Sequence, residues 1–397
     1  MQTKLGGNIM KLLSKKVMAG LLVGATSLSI WAPSSQAAPA NNAYHTIHLA
    51  ANSNIVWDVY RGWDSDDAGI LLYNGDRGDN EQFVFFPLDG GTYAIVNKNS
   101  GKVVTTGSGW IAPNTMSHSS EALKQARWTG AATDQWYLRD KGNNNYEIVN
   151  QGYGKVASYA RAGIGPLATD FVDLDDSNPY DNDRLFHIPA AARSTFSLPT
   201  LPAIGTRPNA PVYNTNGPTD QQLPQTSESV VVGASLIPCI MVKDNGASDY
   251  TKIHNSPYYV LEKEEYWEKV SSEIVTAGGS SKYTVTRGVS TVDQQKMTDT
   301  LSMNFGADLG LKFGEQSLSL KYGISKTLQT EVSKTTTDAT EERKEKTFTS
   351  TSGKDTGLTV YQLVTKYTLK RTDGSAVSSS WSVRDGNQTL ERTITAQ

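Results

Sequence analysis

Few side chains in this chain have the types and spacing that a reactive site requires. His45 and His48 are spaced like metal ligands, but no cysteine or carboxylate cluster accompanies them. Cys239, the single cysteine, lies in the apolar run Leu236-Ile237-Pro238-Cys239-Ile240-Met241-Val242, where a small buried hydrophobe is expected rather than a nucleophile. Arg77-Gly78-Asp79 spells an adhesion tripeptide, yet Gly-Asp-rich stretches are commonly turns. Histidines are few and no carboxylate pair stands out near aromatics, so no acid, base or metal set converges. The expectation is a protein that is not an enzyme, with no cofactor and no metal. What remains is chemistry of another kind: apolar side chains set out to meet lipid.

Two runs of strict alternation between Leu301 and Ile324 carry that chemistry. Leu301, Met303, Phe305, Ala307, Leu309, Leu311 and Phe313 hold the odd positions, with polar residues and glycines between them. After Glu315-Gln316-Ser317 the apolar set moves to even positions, at Leu318, Leu320, Tyr322 and Ile324. Side chains alternate faces along a strand, so each run has one apolar face. The change of parity keeps both apolar faces on one side of a hairpin. Extended at about 3.3 Å per residue, residues 301–313 would reach roughly 43 Å. Tilted by about 45°, such a strand rises roughly 30 Å, the thickness of a bilayer's hydrocarbon core. The ribbon therefore suits a transmembrane β-barrel, with Asp308 and Lys312 facing the lumen. The same alternation also serves a half-buried hairpin in a soluble β-sandwich.

The rest of the chain must position this ribbon. At 397 residues there is room for two domains. A net charge of -3 with 19% charged residues argues against nucleic acid as a partner. Hydrophobic content is 38%, and the abundance of Gly, Ser, Thr, Asn and Tyr is that of a β-rich, loop-rich chain. Lys11, Lys15 and Lys16, the apolar stretch from Val17 to Ala32, and Ser35-Gln36-Ala37 read as an export signal over residues 1–37. One cysteine in an exported protein leaves no internal disulfide, so the fold must rest on its cores and sheets.

The amino-terminal half repeats itself. Tyr-x-Ile-Val-Asn, a short turn and Gly-Lys-Val occur at 93–103 and again at 146–156. Gln82-Phe83, Gln135-Trp136 and Leu185-Phe186 end three units, the first beginning near Ala43. Three such copies point to a closed pseudo-threefold structure. The repeat and its closures resemble a ricin-B-type β-trefoil, expected over residues 38–190. In that family a sugar-binding lobe uses an Asp after its first strand, a stacking aromatic and an Asn near the closing motif. The resemblance assigns these roles in the first lobe to Asp58, Tyr73 and Asn80, with Trp57 and Trp63 adding aromatic surface. Thr105 and Ser158 replace the Asp in the other two lobes, which argues that these are structural or have changed ligand.

A proline-rich linker is expected over 191–235, where Pro199, Pro202, Pro208, Pro211, Pro218 and Pro224 interrupt any periodicity. After Pro257 no proline follows, which permits long uninterrupted antiparallel strands over the rest of a domain at 236–397. Tyr283–Thr300 and Ser325–Ser352 are expected as strands flanking the hairpin, and Glu341–Lys346 as a solvated stretch that blunts edge pairing.

The stretch Ile237–Asp244, then Ser256-Pro257-Tyr258-Tyr259-Val260-Leu261 and Tyr266-Trp267, reads as a buried strand, a polar turn and an aromatic strand. With the head and linker before it, this pattern resembles the Bin-type insecticidal toxins, aerolysin-like β-pore formers with a trefoil head. The resemblance implies an all-β fold, a β-trefoil followed by an elongated antiparallel β-sheet domain. It also implies a secreted toxin that meets a receptor glycan or glycoprotein, self-associates and inserts its hairpins into the target-cell membrane, with a second toxin component as a further partner. The export signal departs from the crystal-forming members. A secreted lectin without pore activity is the alternative, and a glycan-processing enzyme targeted by its trefoil is a weaker one.

Overall fold

The computed structural model describes residues 38–75, 78–88, 91–110, 118–119, 121–301, 303–306, 310–313, 316–317 and 341–397. The expected export signal, Arg77, Ala307, Asp308, Leu309, Leu318, Leu320, Tyr322 and Ile324 lie outside these residues.

The repeats build the head. An antiparallel network of 14 short strands runs from Ala43 to Thr195. Three single-turn helices, Asp79–Glu81, Ala132–Asp134 and Asn182–Arg184, each end just before an aromatic strand. Phe83, Trp136 and Phe186 open those strands and meet in one core with Ile47, Trp57, Phe85, Ile95 and Ile148. The repeated asparagines shape the turns between strands. Asn97 Oδ1 accepts the Asn99 and Ser100 amides at 3.1 and 3.3 Å, and Asn150 Oδ1 accepts those of Gly152 and Tyr153 at 3.0 and 3.2 Å. Gly101 and Gly154 both stand at φ 70°, where a side chain would be strained, and return their amides to the Asn97 and Asn150 carbonyls. The conserved spacing inside this chain is thus a turn specification.

The body is a four-stranded antiparallel sheet in the order Val230–Pro238, Tyr258–Val275, Thr356–Lys370, Trp381–Thr395. The second strand has 18 residues and spans roughly 60 Å at about 3.3 Å per residue. No proline interrupts the last three strands. A two-stranded ribbon, Ser280–Arg287 against Glu342–Thr349, packs on the sheet through Val275, Tyr283, Val285, Leu358 and Val360. The charged stretch expected to block pairing is therefore paired, with Arg343, Lys344 and Glu345 exposed.

Two helices replace expected extended chain. Ser248 caps Asp249–Asn255 by accepting the Thr251 amide at 3.1 Å, inside what reads as a polar turn. Ser290 caps Thr291–Thr300 by accepting the Asp293 amide at 3.1 Å, where a Ser/Thr-rich strand is expected.

The proline-rich segment is a strap across the body. Ala210 and Leu223 are buried against Trp267, Tyr361 and Leu363. The Trp267 indole donates to the Pro208 carbonyl at 2.8 Å and the Tyr361 hydroxyl to the Pro224 carbonyl at 2.6 Å. Head and body also share a continuous apolar core. Tyr44, Val84, Phe86, Val96 and Val103 of the head pack with Ile237, Met241, Val242, Tyr258, Met297 and Leu301.

Candidate functional site

In the first lobe, the strand Asn52–Val59 pairs with Ile70–Asn74 so that Asp58 lies opposite Leu71 and Tyr73 opposite Val56. Directly opposed residues share a face, so Asp58 and Tyr73 stand on the same side, one pair apart. Trp57 is on the other side and fully buried in the head core, edge-on to Phe83 and Phe186. The expectation that Trp57 adds binding surface is therefore wrong. Strand alternation already contains the reason, because neighbours along a strand cannot both face out.

The turn Asp79–Glu81 brings Asn80 back to this strand. Its Nδ2 donates to Asp58 Oδ2 at 2.8 Å. The same Nδ2 also lies 3.5 Å from the Val59 carbonyl, so carboxylate and carboxamide form one polar pair on this face. The rim is aromatic: Tyr73 is 64% exposed and Trp63 41%. Trp63 stands edge-on to Tyr60 at 4.9 Å, and the Arg61 guanidinium lies 5.3 Å from the Tyr60 ring. Asn99 fastens the loop by donating to the Gly62 carbonyl at 2.8 Å, a contact that sequence reading missed. Its signal is the repeated turn, since Asn99 lies two residues past the repeat asparagine.

The other lobes differ at the same place. Thr105 is buried and its hydroxyl donates to the Thr133 carbonyl at 3.3 Å. Ser158 is buried and faces Asp173 across its strand pair. Neither position presents the carboxylate and carboxamide together. His45 and His48 turn to local oxygens instead: Nδ1 of His45 meets the Pro189 carbonyl at 3.1 Å, and His48 meets the Ser53 carbonyl and the Thr46 hydroxyl. Cys239 is buried, and burial pushes its thiol up to about 12, far from the range of a working thiolate.

A cleft of about 800 Å³ lies elsewhere, at the junction of head and body, lined by Lys102, Arg127, Trp128, Asp249 and Lys252 among others. The first lobe presents instead an open surface with the exposed Tyr73 and Trp63 rings.

Of the alternating run, Leu301 is buried in the shared core. Met303–Gly306 pairs antiparallel with Gly310–Phe313, in the register Met303 to Phe313, Asn304 to Lys312, Phe305 to Leu311 and Gly306 to Gly310. Gln316–Ser317 pairs back onto Phe313 and Lys312. The run expected as one strand over 301–313 therefore folds back on itself. In this register odd positions oppose odd positions.

The class of protein is thus an all-β one, a β-trefoil head strapped to a body of long antiparallel strands. A family described as "Insecticidal Crystal Toxin, P42" matches residues 230–393, and one described as "Ricin-type beta-trefoil lectin domain-like" matches residues 31–118 and 79–164. The binary larvicide subunit BinA of Lysinibacillus sphaericus is 27% identical over 315 residues, 79% of this chain and 80% of that protein. Subunit BinB of the same organism is 27% identical over 315 residues, covering 77% of this chain and 68% of that protein. The crystal structure of Cry35Ab1 shares the fold, with a TM-score of 0.69 at 20% identity over 89% of this chain and 90% of that one. The chain is similar over most of its length to the Bin-type insecticidal toxins, and its head to ricin-B-like trefoil domains.

Proposed function

We propose that the protein is a secreted insecticidal toxin whose head binds a glycan or glycoprotein at the target-cell surface and whose body assembles into a membrane pore. The boundaries of its parts follow the same reading: signal 1–37, head 38–190, linker 191–235 and pore-forming domain 236–397. The observation that carries the pore is the apolar register of Met303–Gly306 on Gly310–Phe313, with polar Asn304 against Lys312. That two-faced ribbon is what a barrel wall needs, and four-residue arms are too short to cross a bilayer, which takes about 9–11 residues per strand. Insertion therefore requires the fold-back to open and the strand to straighten. One hairpin leaves its edges unpaired in lipid, so many copies must close a barrel. Leu301, Met303, Phe305, Ala307, Leu309, Leu311, Phe313, Leu318, Leu320, Tyr322 and Ile324 would then face lipid, which takes Leu301 out of the shared core, and Asp308 and Lys312 the lumen. A second toxin component is a further partner, on the strength of relatives named as subunits of a binary larvicide.

Dye release from vesicles or sensitive cells, before and after protease treatment and with and without a second toxin component, tests this reading. Leu309→Asp puts a charge on the lipid face, at about 2–3 kcal/mol per copy, and should abolish release. Unchanged release by this variant removes the segment from the mechanism. The Asp58–Asn80 clasp supports the narrower reading of a lectin alone. Asp58→Asn should weaken glycan binding by roughly tenfold or more, the loss of a charge-assisted hydrogen bond. Equal glycan binding by Asp58→Asn and the unaltered protein would move the site elsewhere on the head.

A further inference from the structure

The first-lobe clasp and the entrance to the alternating run are joined by an unbroken chain of contacts. The Asn80 carbonyl accepts from Asn97 Nδ2 at 2.9 Å, and Asn97 opens the turn that carries Gly101 and Lys102. That turn sits on the body helix Asp249–Asn255. A Cβ on Gly101 would come within 2.3 Å of the Asp249 carbonyl oxygen, so head and helix touch backbone to backbone. Lys102 Nζ is 3.5 Å from the Asp249 carboxylate, and the Tyr44 hydroxyl donates to the Ile253 carbonyl at 3.0 Å. From the same helix, buried Lys252 reaches across to donate to the Val242 carbonyl at 2.9 Å while its charge meets Asp249 at 3.0 Å. Val242 forms an antiparallel bridge with Leu301, flanked by the Lys243 amide donating to the Thr300 carbonyl at 2.9 Å. Both Val242 and Leu301 are 1% exposed.

We propose that this chain of contacts is a restraint through which the head holds the run that starts at Leu301, so that engagement or displacement of the head releases it. The inference rests on the pore reading given above. Val242 is pinned from both directions. Asp244, two residues on, is clamped by the Arg371 guanidinium and by the Tyr259 hydroxyl at 2.8 Å, so the bridge strand cannot follow Leu301 outward. On the head side the restraint is the Lys102–Asp249 pair, the Tyr44 hydroxyl, the close Gly101 approach and the apolar core in which Tyr44, Val84, Phe86, Val96 and Val103 pack with Val242 and Leu301. Displacing the head strips the apolar cover from the bridge and loosens Asp249, the carboxylate that holds the Lys252 charge, and with it the Lys252 donation to the Val242 carbonyl. Coupling of this kind is reciprocal: a head that releases the bridge when it binds must bind more tightly when the bridge is already open.

Two measurements test the restraint. In the first, Lys102→Ala and Lys252→Met should each speed hydrogen exchange of the Lys243 amide on the order of tenfold, and the double variant should do little more than either alone. An unchanged rate in Lys102→Ala, or fully additive effects, overturns the relay. The second uses the bridge itself. Val242 and Leu301 are a pair without mutual hydrogen bonds, whose Cα atoms lie about 4.5 Å apart, close enough for a disulfide. Val242→Cys with Leu301→Cys, in a Cys239→Ala background, gives one protein with a locked and an unlocked state. Dye release by the reduced but not the oxidised form is the expected result. Release by both forms overturns the restraint and leaves the pore reading standing. Release by neither form counts against the pore reading, and the exchange rates then decide the relay alone.

Discussion

Asp173→Asn should stabilise the protein at pH 8 and leave it unchanged near pH 4. Asp173 faces buried Ser158 in the third lobe. Burial, then the charges of Asp175 and Glu121, push its carboxyl up to about 6, against the weaker pull of its own amide and Lys155. A carboxyl raised in the folded state favours the protonated form. Stability is therefore full below the ordinary aspartate value near 3.8, falls as pH rises towards about 6, and stays at its lower level above that. Two pKa units correspond to about 3 kcal/mol at most, and solvent screening of a half-buried group reduces this to about 1–2 kcal/mol. Asparagine has the protonated form's shape and lack of charge at every pH. Urea unfolding of both proteins at pH 4 and pH 8 reads the difference directly. Equal midpoints at pH 8, or a larger gain at pH 4 than at pH 8, would refute the reasoning.

Two more predictions concern the head core and the strap. Trp57→Ala opens a hollow among Phe83, Phe186 and Ile47 and should cost about 3–5 kcal/mol, read as a loss of the head's near-ultraviolet circular dichroism at lower denaturant. Arg207→Met removes a bidentate pair to buried Glu265, with contacts at 2.6 and 3.2 Å, and should cost about 1.5–3 kcal/mol at pH 7. Burial alone would raise the Glu265 carboxyl, but Arg207 and Lys263 outweigh it and hold it below its ordinary value. That stabilisation is present above the ordinary glutamate range and disappears as pH falls through the depressed value. Thermal melts of Arg207→Met and the unaltered protein should therefore converge towards pH 3.

Much of the architecture is legible in particular residues. The absence of proline after Pro257 announces strands of 15 and 18 residues, and the repeated Asn and Gly of the head announce its turns. The helices Asp249–Asn255 and Thr291–Thr300 are not legible, because neither carries an apolar stripe; a serine cap and tertiary contacts decide them. Residues brought together from opposite ends of the chain are hidden for a different reason. Asp244 with Arg371, and Lys102 with Asp249, are charges that look solvated until the fold pairs them. Asp58 and Asn80, far apart in sequence, meet in the fold, whereas Trp57 lies in the head core.

The fold-back of Met303–Gly306 on Gly310–Phe313 has a kinetic meaning under the proposed insertion. Residues 301–313 can extend as one strand only after the four backbone pairs of the fold-back have parted. The fold-back is therefore a latch in time: how fast those pairs open sets how fast the strand can straighten.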